Sequence, residues 1–541
     1  MILKSAAVLT ALAVACVLAA KTLFHYFQLE SYQFPGYFRT LKRNLLKAIL
    51  PGLILNLIWV GSAAGLALLI PEEQEVLLIL AVVTVLLASG WLLFMFTGEK
   101  KAKKPLRYTP RMKRLYVASM IVFLGLLLLF AGLGARVEPE TGKISWNALF
   151  AFCVIFPFLL PVWTALAGLL AWPVEKAISE LYFRDAQKKL KSRPDLIRIG
   201  ITGSWGKTSV KFILGTMLEE KYHTLVTPAS YNTPMGVTRI IREKLEPGHR
   251  VFVAEMGARH VGDIREMCRL VRPQLGLLTS VGPQHLDTFK TVERVTKTKY
   301  ELIQALPKDG TAFFADDGGI CRELYDKTRR EKWITGLGDG EDLWAEDIRS
   351  TREGSQFTLC GKDFRLRCET ELLGELNIRN ILLCASVCLK LGLTLKQIAR
   401  GISKLRPVEH RLQLIRNPGG LTVIDDAFNS NIRGAEQALK VLKDFPPRRI
   451  AVTPGMVELG EQERELNRKL GRLLAESCDE VLPVGIKRSE AIVEGLREAG
   501  FPEERLHVVS SLEEARAWIT ANAKEGDTIL FENDLPDNYT E

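Results

Sequence analysis

Cysteine is present in this chain but unpatterned. Its 541 residues include nine cysteines and no Cys-x-x-Cys pair, and the nearest two, Cys384 and Cys388, stand four apart inside an apolar helical run. Dithiol and zinc-ribbon spacings are therefore absent, and the thiols read as reduced core residues of a cytoplasmic compartment. Also absent is any interleaving of aromatic with basic residues, or any recognisable nucleic-acid module. A net charge of +10 and a pI near 9.0 thus do not point to nucleic acid. Much of the excess base gathers beside apolar runs, where anionic lipid accounts for it. There is no long internal repeat and no low-complexity tract.

A hydrophobic fraction of 47% beside a charged fraction of 25% would suit many soluble enzymes, but the apolar residues are concentrated in the first third. Crossing a hydrocarbon core of ~30 Å as helix takes roughly 18 or more apolar residues, because backbone groups there must be satisfied internally. Candidate spans run from Ile2 to Ala20, Ala48 to Ile70, Val76 to Thr97, Leu115 to Gly134 and Ala148 to Trp172. The first also fits a signal peptide, with Lys4 as a thin basic start and small residues near Ala20. Lys21, Arg39, Lys42, Arg43 and Lys47 follow the first run. Lys100, Lys101, Lys103, Lys104, Arg107, Arg111, Lys113 and Arg114 follow the third. Pro71 to Gln74 has no base, and Ala135 to Trp146 has only Arg136 and Lys143. The positive-inside rule then places the N-terminus outside and everything beyond Trp172 in the cytoplasm, as five spans require.

A basic amphipathic stretch, Ile178 to Arg193, is expected to leave the membrane surface as a helix. Beyond it, short β-rich runs alternate with helical ones, which predicts α/β architecture with a largely parallel sheet. Strands are expected at Leu196–Ile201, Val251–Glu255, Gly276–Ser280 and Thr311–Ala315. A second doubly wound, Rossmann-like unit is expected to begin near Pro407, with strands at Leu421–Asp425, Arg449–Thr453, Glu480–Val484, Arg505–Val509 and Asp527–Phe531. The expected domains are therefore 1–177 (membrane helices), 178–406 (central) and 407–541 (C-terminal).

Thr202-Gly203-Ser204-Trp205-Gly206-Lys207-Thr208 follows one strand and opens a helix. Backbone N–H groups of such a loop wrap phosphate oxygens, the helix N-terminus adds partial positive charge, Lys207 reaches the terminal phosphates and the Thr208 hydroxyl holds Mg²⁺. A strict Walker motif would need glycine where Ile201 stands, so this is a variant loop.

The variant resembles the phosphate loop of the Mur ligases, which add amino acids to peptidoglycan precursors, and further segments match that family in order. Glu255-Met256-Gly257-Ala258 looks like the segment whose glutamate holds Mg²⁺. Thr279 to Leu286 resembles the run bearing the family's metal-associated histidine, here His285; a lone histidine is otherwise more often structural. Lys299-Tyr300-Glu301 falls where MurF-type members carry a carbamylated lysine, although a solvated helix face that includes Lys297 reads the same way. Gly374 to Asn380 resembles the adenine-side segment, with Asn377 and Asn380 kept and Leu376 in place of histidine. Arg411 stands at the arginine that reaches ATP, with His410 replacing glycine. Ile424 to Asn431 is close to the MurF form and places Asp426 on the nucleotide, while a strand-end cap is the plainer reading of Asp425 and Asp426. Gly455 to Gly460 matches a further MurF landmark.

The resemblance covers roughly Asp195 to Asp527. Two departures stand out. Membrane runs replace the soluble N-terminal domain that holds a UDP-linked sugar peptide, and Phe531 to Asp537 replaces a Lys-Gly-Ser-Arg segment. The resemblance implies an ATP-dependent, amide-forming ligase acting through an acyl phosphate. Lys207, Glu255, His285 and Lys299 would be catalytic; Thr208, Glu255, His285 and carbamylated Lys299 would hold Mg²⁺. Gly203, Ser204, Trp205, Gly206, Lys207, Thr208, Asn377, Asn380, Arg411 and Asp426 would bind ATP. The expected partners are a cell-envelope precursor, lipid-linked at the inner leaflet, and an amino acid or dipeptide amine, with Tyr231 to Gly236 a candidate substrate loop. A capsule-type poly-glutamate synthetase, a non-catalytic scaffold and a transporter ATPase are the alternatives. The spans contain almost no central ionisable residue, which argues against transport. No oligomeric state is specified.

Overall fold

The computed structural model describes residues 2–69, 74–97, 105–134, 136–137, 144–145, 153–229, 231–351, 354–416, 420–427, 431–446, 448–457 and 459–533. Most of the basic loop 98–104, the tight connection at 70–73, most of 135–152, and the segments 428–430 and 534–541 used in the motif comparison lie outside them, as does Glu458. The chain divides into two compact units, residues 1–180 and 181–536.

In the first unit, four helices are long and apolar enough to cross a membrane: Leu45–Leu66, Val76–Phe96, Pro110–Ala131 and Cys153–Lys191. The expected first span differs. It forms two helices, Ala6–Ala19 and Lys21–Leu29, bent by 45°, and beyond the bend Lys21 Nζ donates to the Phe94 carbonyl at 2.7 Å. Small residues let these helices approach closely: a Cβ on Gly90 would lie 2.6 Å from Ala15 Cα, and one on Gly52 would lie 2.0 Å from the Pro157 carbonyl oxygen. The amphipathic stretch is also different from expectation. It is not a separate helix but the end of a continuous helix, Leu160–Lys191, whose Phe183, Ala186 and Leu190 join a core of the second unit.

The second unit carries two sheets. The larger contains β1 (Ile197–Thr202), β2 (Thr224–Val226), β3 (Val251–Glu255), β4 (Leu275–Leu278), β5 (Thr311–Ala315), β6 (Lys332–Thr335), β7 (Leu343–Thr351), β8 (Gly354–Gly361) and β9 (Phe364–Thr370), in the order β9-β8-β7-β6-β5-β4-β1-β3-β2. From β2 to β7 neighbours are parallel, whereas β7, β8 and β9 form an antiparallel meander. The central strands are short and apolar because helices cover both faces. Ile199, Ile201 and Val253 pack toward helices Lys207–Leu218 and Gly374–Lys390, while Phe252, Ala254 and Phe314 pack into the opposite core.

The smaller sheet contains β10 (Gln413–Arg416), β11 (Thr422–Asp426), β12 (Arg449–Thr453), β13 (Glu480–Pro483) and β14 (Thr528–Glu532), in the order β10-β11-β14-β12-β13. Only β10 is antiparallel to its neighbour. Helices Ile432–Lys443, Glu463–Ser477 and Glu490–Glu498 cover one face, and Leu512–Asn522 packs on the other. The expected strand at Arg505–Val509 is reduced to isolated bridges, Val481 with Leu506 and Val484 with Val509.

Candidate active site

At the carboxyl end of β1 the chain turns through Gly203 and Gly206 into the helix Lys207–Leu218. Gly203 has φ +155° and Gly206 φ +80°, and a Cβ on Gly203 would stand 2.0 Å from Thr279 Oγ1. No side chain caps this helix, so its first amides face outward, the arrangement that takes an anion. The segment after β4 braces the loop. Ser204 N donates to the Ser280 carbonyl at 2.9 Å, Trp205 N to Ser280 Oγ at 2.9 Å, and Gly282 N to Ser204 Oγ at 3.0 Å. Thr279 to Gly282 therefore act first as the wall of the glycine loop. Lys207 folds back along it, donating to the Gly203 carbonyl at 2.7 Å and the Ser204 carbonyl at 3.1 Å. Burial lowers the Lys207 pKa to about 8, with Glu255 opposing that shift and Arg411 adding to it.

Glu255 ends the neighbouring strand β3 and is only 1% exposed. Its carboxylate accepts from Thr208 Oγ1 at 3.1 and 3.2 Å, from Asn232 Nδ2 at 3.0 Å and from Lys211 Nζ at 3.0 Å. Burial pushes its pKa up, but Lys211 and Lys207 outweigh that and keep it ionised. His285 is half-buried and left-handed, φ 50°, at the start of the short helix Leu286–Phe289, and it is not among the hydrogen-bond partners given for Glu255. Among the described residues, no three His, Cys, Asp or Glu side chains converge as a metal cage.

The two lysines on the helix Val292–Gln304 separate clearly. Lys297 is exposed, whereas Lys299 is 1% exposed and makes no hydrogen bond or ion pair with a described residue. Burial, reinforced by Lys207, drives its pKa well below the usual lysine range, so its amine is neutral.

Asn377 and Asn380 are buried in the first turns of the helix Gly374–Lys390. Asn377 Nδ2 donates to the Leu373 carbonyl at 2.9 Å, and Asn380 abuts the glycine loop, its Oδ1 3.1 Å from where a Gly206 Cβ would stand. From the other sheet come Arg411 and Asp426. Asp426 Oδ1 accepts from Leu412 N at 3.1 Å, and burial raises Asp426 to about 6 against the pull of Arg411. The Arg411 charge in turn reaches Lys207 and Glu255. A contact of 5.6 Å between the Arg433 guanidinium and the Trp205 ring also brings the smaller sheet's first helix to the loop. His410, where a glycine is usual, is bonded to Asp425 at 2.7 Å. Beside it, a cavity of about 350 Å³ opens at the carboxyl ends of β11 to β14, lined by apolar side chains and by His410, Asp425, Arg516 and Asn533.

Sequence reasoning missed Lys211. Its signal was there: a charge one helical turn after Lys207, inside the run Val210 to Leu214, where solvent exposure is excluded.

A glycine loop joining a central parallel strand to a helix, with a buried carboxylate on the next strand and an arginine reaching in from a second sheet, defines a two-part phosphate-loop α/β protein. The Mur ligase middle domain model matches residues 201–388, and the Mur ligase, glutamate ligase domain model matches residues 410–532. The chain belongs to the Mur ligase family. It is 32% identical over 297 residues to the UDP-N-acetylmuramoyl-tripeptide–D-alanyl-D-alanine ligase of Escherichia coli strain K12, covering 54% of this chain and 65% of that protein's length. It is 30% identical over 355 residues to the ligase of the same name from Mycobacterium bovis, covering 61% and 69% of the two chains. The structure of MurF ligase from Thermotoga maritima in complex with ADP aligns with a TM-score of 0.59 at 25% identity, over 66% of this chain and 80% of that one. The match to the Escherichia coli protein thus spans just under two thirds of that relative.

Proposed function

We propose that the protein is an ATP-dependent ligase that joins the carboxylate of a cell-envelope precursor to an amine through an acyl phosphate. The single observation behind this reading is the Thr208–Glu255 contact beside the glycine loop. A threonine hydroxyl and an ionised, buried carboxylate at 3.1 Å form the hard-oxygen pair that Mg²⁺ takes together with phosphate and water. The residues present therefore fit that ion, with His285 and a carbamate on Lys299 as further holders. When bound, Mg²⁺ would neutralise phosphate charge during transfer.

The protein groups then have distinct tasks. The loop amides and Lys207 hold the β- and γ-phosphates, while Asn377, Asn380, Arg411 and Asp426 hold the rest of ATP. A carboxylate oxygen of the precursor attacks the γ-phosphorus and ADP leaves. The amine nitrogen then attacks the acyl carbon, phosphate departs with that oxygen, and the amine loses its proton. The cavity lined by Asp425 and Arg516 suits an amine that carries its own carboxylate: Asp425 faces the ammonium and Arg516 the acid. Relatives named for UDP-N-acetylmuramoyl tripeptide and D-alanyl-D-alanine make these the first substrates to test. Lys299, buried and neutral, is the form of lysine that adds to CO₂, losing one proton to become a carbamate.

The domain reading keeps 1–177 as membrane helices, 178–406 as the central domain and 407–541 as a Rossmann-like C-terminal domain. Four or five spans in the first, with the N-terminus outside when there are five, leave the catalytic part at the cytoplasmic face of the plasma membrane. Where relatives hold a UDP-linked substrate in a soluble domain, this chain has apolar helices, which supports a lipid-linked precursor. The test is phosphate release by the detergent-solubilised protein with D-alanyl-D-alanine and either UDP-linked or lipid-linked muramoyl peptide. Release that needs the amine and prefers the lipid-linked form supports the reading. Full activity on the UDP-linked form with indifference to lipid sinks its membrane half, and release without amine sinks the ligase.

A further inference from the structure

Of the two charged side chains on the helix Lys207–Leu218, the reaction outlined above uses Lys207 and leaves Lys211 unexplained. Lys211 is wholly buried, an arrangement tolerated only when the ammonium is paired. It is paired twice: Nζ donates to Glu255 Oε2 at 3.0 Å and to the Ala229 carbonyl at 2.5 Å. Ala229 has φ +40°, a left-handed conformation that a residue with a Cβ resists. Something must hold it there, and the Lys211 ammonium on its carbonyl does so.

The chain around Ala229 is otherwise fastened only at its ends. At the start, Glu255 N donates to Thr227 Oγ1 at 3.2 Å and Thr227 N to the Val253 carbonyl at 3.1 Å. At the finish, Asn232 Nδ2 donates to Glu255 Oε1 at 3.0 Å, and Gly257 N to the Asn232 carbonyl at 2.8 Å. Asn232 lies flush on Gly257, where a Cβ would come within 2.9 Å of its amide carbon. Every fastening ends on the strand that presents Glu255, except the one from Lys211, which ties the middle of the loop to the phosphate-loop helix.

We propose that Lys211 is a positioning residue that locks the 227–232 loop against Glu255, so that one ammonium fixes both the nucleotide-side carboxylate and the wall that receives the carboxylate substrate. The assignment of that wall rests on the ligase reading, in which Tyr231 to Gly236 faces the precursor.

The test uses the full chain in detergent, with Lys211→Met removing the ammonium and Lys211→Gln keeping an N–H donor. The first readout needs no substrate: chymotryptic cleavage after Tyr231, relative to cleavage elsewhere in the chain. It should rise about tenfold in Lys211→Met, because local opening governs cleavage, and less in Lys211→Gln. The second is kinetic. With whichever muramoyl peptide supports turnover, KM for that peptide should rise about tenfold in Lys211→Met while KM for ATP changes less than about threefold. Unchanged cleavage at Tyr231, or an equal rise at all sites, overturns the proposal, and Lys211→Gln carries the comparison if Lys211→Met does not fold. Absence of turnover in the unmodified protein counts against the ligase, while the Tyr231 ratio still decides on Lys211.

Discussion

The Thr208 hydroxyl lies 3.1 Å from one oxygen of Glu255 and 3.2 Å from the other, joining the first turn after the glycine loop to the end of the neighbouring strand. Removing the charge at Glu255 acts twice. It deletes the ionised oxygen pair, and it leaves Lys211 buried without its counter-ion. Glu255→Gln is therefore expected to lower turnover by about 10²-fold or more and to cost about 3–5 kcal/mol of stability, the range for breaking a buried pair. Steady-state kinetics and denaturant unfolding check both; a variant as stable as the parent would contradict the burial argument.

Lys207 predicts a pH limit. Burial holds its pKa at about 8, so the ammonium that faces phosphate is present below that value and is lost as pH rises through it. kcat/KM for ATP, which reports the free enzyme, should fall above pH about 8. Lys207→Ala should be low throughout, by about 10²-fold or more, with no such limb.

Asp426 makes a stability prediction of opposite sense. Its folded pKa is raised to about 6 from 3.8, chiefly by burial. A group raised on folding contributes stability below its unfolded pKa and loses it as pH rises through the folded one. The parent should therefore lose stability relative to Asp426→Asn between pH 4 and pH 6, and thermal unfolding of the pair across that window measures the difference.

Lys299 should take up labelled CO₂. Carbon-13 NMR after equilibration with ¹³CO₂ is expected to show a carbamate signal that Lys299→Arg lacks, because a guanidinium stays protonated in any protein setting. A signal that survives in Lys299→Arg would place the modification elsewhere.

Much of this was legible in the sequence, for physical reasons that differ by element. The strands Val251–Glu255, Thr311–Ala315 and Arg449–Thr453 were delimited correctly because fully buried parallel strands are short apolar runs with polar ends. The β7–β8–β9 meander was not read, since its exposed, charged alternation (Phe364-Arg365-Leu366-Arg367) lacks such a run. The antiparallel β10 was hidden likewise, at a sheet edge. The first apolar run was taken as a single span, because composition registers length and not the bend beside Lys21. In the site, phosphate-loop geometry announces Gly203 to Thr208 by spacing alone. Lys211 was invisible to motif reading because its partners, Ala229 and Glu255, lie 18 and 44 residues away in the chain. Lys299 and Lys297 were indistinguishable until the helix was packed.

The most direct test of the acyl-phosphate account is isotopic. A muramoyl peptide labelled with oxygen-18 in its terminal carboxylate is incubated with the solubilised protein, ATP and D-alanyl-D-alanine, and the released phosphate is analysed by mass spectrometry. The account predicts one labelled oxygen in each phosphate released, together with an amide product. Phosphate released without label, with or without product, would contradict it.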